Sequence, residues 1–126
     1  MIFGIGTDVV RMERIGRIYE RYGDHFVERL LLPQEQAAFR GQTRPVRFLA
    51  MRFAAKEAIV KAMGTGFAHG MWLRDCGVVA NAWGKPEIVW SARGRQMCEN
   101  LGIGEGHVTL TDEAELVVAV AVLMRK

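Results

Sequence analysis

One nine-residue run, LVVAVAVLM from Leu116 to Met124, constrains this chain more than any other stretch. It is β-rich and far short of the ~20 apolar residues that a membrane helix needs, so it reads as a buried strand. HVTLT, across the turn residues DEAE, is its natural partner. A second hairpin is expected where CGVVANAWGKPEIVW places two β-rich runs around Gly84, Lys85 and Pro86. MIFGIGT reads as a first strand, ended by Asp8. Between the first strand and the first hairpin the pattern is helical. The spacing of Met12, Ile15, Ile18, Tyr19 and Tyr22 predicts a helix over Val9–Tyr22, broken at Gly23. Asp24 reads as the N-cap of a short helix, and Pro33 opens another that stops at Gly41. A polar loop with Pro45 leads into a long helix, Arg47–Met63. SARGRQMCENLG gives a last helix capped by Ser91 and stopped at Gly102. Together these elements predict an α+β fold, a largely antiparallel sheet with packed helices.

The chain has 126 residues, which suits a single domain, residues 1–126, with about two-thirds of its surface buried on folding. Two cysteines and three scattered histidines make neither a disulfide framework nor a zinc spacing. With no basic leader before Asp8, a cytoplasmic protein away from the membrane is expected. The net charge of +3 is uneven. Residues 1–61 hold eleven Lys/Arg and seven Asp/Glu, against six and seven in residues 62–126. The basic half directs attention to acidic partners.

RFAAKEAIVKAMGTG, Arg52 to Gly66, carries the chemistry. Glu57 and Lys61 lie about 40° apart on the long helix, on a stripe with Ala50 and Ala54, whose small side chains leave room for close approach. Arg52 and Lys56 project from a different side, with the core face between. A helix ion pair at i, i+4 would account for Glu57 and Lys61 at only ~0.2–0.5 kcal/mol. The glycines around Thr65 add backbone that could approach phosphate oxygens. Asp8 serves equally well as a helix cap or as a metal ligand at a strand end. Magnesium needs only one or two carboxylates, completed by water and substrate phosphates. Asp8 with Glu57 would meet that need if the fold joins them.

GIGTDVV, FLAMRFAAKEAIVKAMGTG, GKP and HVTLTDE, in that order and spacing over essentially the full chain, resemble the holo-[acyl-carrier-protein] synthases. These are the small bacterial 4′-phosphopantetheinyl transferases. The resemblance implies the fold of that family and transfer of the phosphopantetheine arm of coenzyme A to a serine of an apo acyl carrier protein, in support of fatty-acid synthesis. It makes Asp8 and Glu57 the Mg2+ ligands and Lys61 the neutraliser of the pyrophosphate. Gly64, Thr65, Gly66, Lys85 and Pro86 then line the coenzyme site, with Arg52, and Arg47 beside it, as contacts for its other phosphates. A metal-bound water, a carboxylate or His107 could take the serine proton, and the sequence does not choose. Many relatives carry a second histidine after the position of His107, where this chain has Asp112.

On the first helix Arg14, Arg17 and Arg21 fall within about 60° of one another, and Arg11 lies 60° further round. Arg14 alone of the four has no acid three or four residues away. The resemblance makes Arg14 and Arg21 docking contacts for an acidic carrier protein. Nucleic acid is the weaker alternative, since no aromatics interleave with the arginines. A non-catalytic carrier-binding or coenzyme-binding module would keep the arginines without needing Asp8, Glu57 and Lys61. The family also implies a homotrimer with active sites between subunits.

Overall fold

The computed structural model describes residues 1–126. Strand β1 (Ile2–Arg11) leads into helices α1 (Met12–Tyr22), α2 (Asp24–Leu30), α3 (Pro33–Phe39) and α4 (Pro45–Met63). A 3-10 turn at Leu73–Asp75 precedes β2 (Cys76–Ala80), β3 (Pro86–Trp90), α5 (Ala92–Leu101), β4 (Ile103–Glu113) and β5 (Leu116–Arg125). Strands β1, β5 and β4 form one antiparallel sheet with β5 in the centre, and β2–β3 form a separate hairpin. The α+β reading therefore holds. No helix is long and apolar enough to cross a membrane.

Three boundaries differ from expectation. Val9, Val10 and Arg11 are strand, not helix, because they pair with Val118, Val117 and Leu116. Asp8 consequently lies inside β1 rather than at its end. Asp24 is the first helical residue of α2 and not its cap, which is Gly23 at φ 52°. Pro45 begins α4 at a position where its missing N–H costs nothing. The caps read at Ser91 and Gly102 are present: the Ser91 hydroxyl accepts from the Gly94 amide, and Gly102 is left-handed.

Helix α4 lies across the sheet and is buried on most of its circumference. Val117, Ala119, Ala121 and Leu123 of β5 are fully buried, as are Ala50, Ala54, Ala55 and Ala58 of the helix. These small residues let helix and sheet backbones meet. A Cβ on Gly4 would fall 1.9 Å from the Ala62 carbonyl oxygen, and one on Gly6 2.0 Å from that of Ala58. Ala50 and Ala54 thus serve packing inside the protein, a correction to the expectation that they leave room for a ligand. Gly6→Ala is expected to cost at least ~2 kcal/mol, since backbone must move; thermal denaturation checks this.

The sheet's other face is more open. Ile5 and Val9 remain 59% and 60% exposed, and Val118, Val120 and Val122 of β5 are half-buried.

Candidate functional site

On β1 the residues Gly4, Gly6, Asp8 and Val10 alternate onto the face covered by α4. The two glycines bring the helix down on the strand, and Asp8, two residues on, emerges beside the exposed edge of α4. The Lys61 ammonium donates to Asp8 Oδ1 at 3.1 Å and to the Thr7 carbonyl at 3.0 Å. Lys61 therefore pairs with β1 and makes no ion pair with Glu57 within 4.0 Å.

Glu57, one turn earlier, faces the same place. Partial burial holds its carboxyl above the usual carboxylate range, and the Asp8 charge adds to this, against Lys61 and Arg14. A carboxylate raised by burial and by a second carboxylate is one that a cation would relieve. No cluster of three or more His, Cys, Asp or Glu exists, so the donors make no closed protein cage. Two carboxylates suit Mg2+, which takes only one or two and completes its octahedron with water and substrate phosphates.

The glycine turn is built differently from expectation. The amides of Gly64, Thr65 and Gly66 all donate to the Val60 carbonyl, at 3.1, 3.2 and 3.1 Å, with Gly64 left-handed at φ 83°. Their N–H groups close the helix and are not free for phosphate, a correction to the backbone cradle expected there. The turn still lies one turn beyond Lys61 on α4.

Lys85, Pro86 and His107 lie elsewhere. They line a cleft of about 490 Å3 between β3, α5 and β4, together with Arg95 and Glu105. His107 Nε2 is 3.5 Å from Glu105 Oε1. His107 stands opposite Val122 and Asp8 opposite Ala119 on the central strand, so the two side chains occupy opposite edges and opposite faces of one sheet.

Two arginines are already engaged. Arg52 is 11% exposed, stacked over Phe48 at 4.3 Å, with Nε 3.7 Å from Glu35 Oε2. The structure does not bring it to Asp8 and Glu57. Arg47 donates from Nε and Nη2 to Asp112 at 3.0 and 2.8 Å, so Asp112 holds the arginine expected to be free for phosphate. The Arg47 hydrogen bonds keep the Asp112 carboxyl below its usual range. Because the folded form binds that proton more weakly, the pair's contribution is present above the ordinary carboxylate range and lost as pH falls through the lowered value. Asp112→Asn should therefore flatten the acid limb of a melting-temperature profile and leave neutral-pH folding intact.

Arg14 stacks over Phe53 at 5.5 Å and lies close enough to act on Glu57. Arg21 lies over Tyr22 at 5.4 Å, and Arg17 pairs with Glu13 at 3.9 Å. Arg11 belongs to β1 and not to this stripe. The sequence did not disclose the groove alongside, about 570 Å3, where Phe67, Met71 and an exposed Trp72 face α2. It joins segments some forty residues apart, and no periodicity links them.

Two carboxylates and a lysine brought together by one sheet–helix unit are groups that phosphoryl transfer uses for charge neutralisation. The model of the 4′-phosphopantetheinyl transferase superfamily matches residues 4–121, and the chain belongs to that superfamily. Within it, the chain is 44% identical to the holo-[acyl-carrier-protein] synthase of Halorhodospira halophila, over 98% of each protein. The crystal structure of the synthase from Neisseria meningitidis superposes with a TM-score of 0.94 at 39% identity, covering 99% of this chain and all of that one. A synthase from Bacillus anthracis, solved in complex with CoA (3′,5′-ADP), superposes at 0.82 with 33% identity, covering 100% and 99%.

Proposed function

We propose that this protein transfers the 4′-phosphopantetheine moiety of coenzyme A to a serine of apo acyl carrier protein. The products are holo carrier protein and adenosine 3′,5′-bisphosphate, and the reaction serves fatty-acid synthesis in the cytoplasm. The observation that carries this reading is the meeting of Asp8, Glu57 and Lys61, from elements some fifty residues apart. Full-length similarity to holo-[acyl-carrier-protein] synthases supports the same reading.

Phosphoryl transfer asks for alignment and charge neutralisation more than for covalent help. Asp8 and Glu57 are the residues that would hold Mg2+, and a divalent cation there supplies neutralisation of the diphosphate. Lys61 now rests on Asp8. With the carboxylate engaged elsewhere, its ammonium is a point charge for a phosphate oxygen. Arg14 stands between this site and the surface of α1. With Arg21 it gives an acidic carrier a place to dock within reach of Glu57, an association that weakens with salt.

His107 is kept from Asp8 and Glu57 within one chain by β5 and a full sheet thickness, and Lys85 and Pro86 lie with it in the cleft at the β4 edge. A cyclic assembly resolves this. The open sheet face carries Ile5, Val9, Val118, Val120 and Val122, and packing it against copies of itself in a homotrimer would bring the β1 edge of one chain to the β4 edge of the next. The coenzyme would then lie between subunits, with carboxylates from one chain and Lys85 and His107 from its neighbour.

The test is product formation. Apo carrier protein and coenzyme A, incubated with this protein and Mg2+, should release one adenosine 3′,5′-bisphosphate per carrier, detected by chromatography. Absence of that product with a competent carrier would remove the transferase reading.

A further inference from the structure

Glu35 of α3 and Lys56 of α4 have fully buried side chains and meet at 2.8 Å. An ammonium has three N–H donors, and Lys56 uses all three: on Glu35, on the Leu73 carbonyl at 2.8 Å and on the Cys76 carbonyl at 2.8 Å. Glu35 is satisfied in turn by the amides of Leu32 and Val78, each at 2.9 Å. Gly77 leaves room for the carboxylate, since a Cβ there would lie 2.6 Å from it. A buried ion pair of this kind is weak support for stability, because apolar residues of similar volume often do as well. Apolar residues could not, however, hold two carbonyls at a fixed distance from α4.

Those carbonyls end the segment that starts at Gly64. From the far side the same segment is held by Asp75, which accepts from the Trp72 amide at 3.0 Å and the Ser91 hydroxyl at 2.7 Å, and by Arg93, which donates to the Gly70 carbonyl at 2.8 Å. Residues 64–76 are thus fastened to α4 at both ends, at the helical end by Val60 and at the other by Lys56. Lys56 is also the residue before Glu57, so one turn of helix carries both the candidate metal ligand and the anchor.

We infer that Lys56, with Glu35 as its buried counter-charge, is a positioning residue for coenzyme binding: it fixes residues 64–76 on α4 and so sets where the segment that follows Lys61 lies as a wall of the coenzyme site. The inference rests on the transferase reading above. Lys56→Met removes the ammonium at nearly constant length, and Glu35 keeps Arg52 as a neighbouring cation, which gives the variant a route to fold. Arg93→Ala frees the Gly70 carbonyl from an arginine whose side chain is 61% exposed, without opening the core.

Steady-state transfer kinetics with each substrate varied in turn, alongside melting curves, test this. Lys56→Met should raise the KM for coenzyme A by at least about tenfold with the carrier KM within about twofold, and Arg93→Ala should raise the same parameter about threefold. A purely structural pair would lower the melting temperature and leave both KM values alone. Folded variants with wild-type KM for coenzyme A overturn the inference, and Arg93→Ala decides alone if Lys56→Met does not fold. Wild-type protein is assayed first. No transfer there removes the transferase reading itself, whereas an active wild type with unaltered variants removes only the role of Lys56.

Discussion

Glu57→Gln is expected to abolish transfer while making the metal-free protein harder to melt at neutral pH. The two effects have one cause. Glu57 sits where burial and the neighbouring Asp8 disfavour its charge. Its folded-state proton affinity is higher than its unfolded one. Between those two values the folded form holds a proton that the unfolded form has released, so stability falls as pH rises through that window. Above it, the ionised carboxylate is a standing cost that Gln does not carry. Function needs the cost: a neutral amide is a poorer Mg2+ ligand and contributes no charge against a diphosphate. Losing several kcal/mol of transition-state stabilisation corresponds to a rate reduction on the order of 10³-fold. Melting curves in chelator should put Glu57→Gln above the wild type at pH 7, and added Mg2+ should raise only the wild type. A variant that transfers at the wild-type rate, or that melts lower in chelator, contradicts this assignment.

A charge on the open sheet face should be nearly as damaging for a different reason. Val9 is 60% exposed in the single chain, so Val9→Asp meets little resistance to folding. In the proposed trimer the same carboxylate would be buried without a partner, at a cost of several kcal/mol. The variant is expected to elute as a monomer and to lose on the order of 10²-fold or more in transfer, because Lys85 and His107 are no longer held against the carboxylates. Mixing separates assembly from chemistry. Glu57→Ala chains and Lys85→Ala/His107→Ala chains, each nearly inactive, should regain transfer when refolded together, since some interfaces then pair intact halves. A fully active Val9→Asp monomer would rule out a site shared between subunits.

Local signals carried the sequence reading well where the structure is local. The α4 helix, the Cys76–Trp90 hairpin and the caps of α5 were legible because spacing, Gly84 and Ser91 specify them within a few residues. Val9–Arg11 were misassigned as helix because their strand conformation is set by residues 116–118, over a hundred positions away, and no short window contains that pairing. Ala50 and Ala54 looked like clearance for a ligand and are core residues, while Ala58 and Ala62 are the ones that meet Gly6 and Gly4 of β1. Lys56 looked like a residue projecting from the helix, and is its most deeply buried charge, since Glu35 and two carbonyls await it. Arg47 and Arg52 failed to stand free for a related reason: Asp112 and Glu35 reach them only in the folded chain. Asp8 and Glu57 were paired in the sequence by what Mg2+ requires, and Glu57 with Lys61 by helix spacing; only the laying of β1 beside α4 joins the three, with Lys61 on Asp8.

The most direct measurement of the central claim is the intact mass of apo acyl carrier protein after incubation with coenzyme A, Mg2+ and this protein. A gain of one phosphopantetheine arm is expected, vanishing when chelator is added and when Glu57→Ala replaces the wild type, with circular dichroism showing both proteins folded. An undiminished gain in chelator, or with Glu57→Ala, would contradict the carboxylate pair as the seat of the reaction.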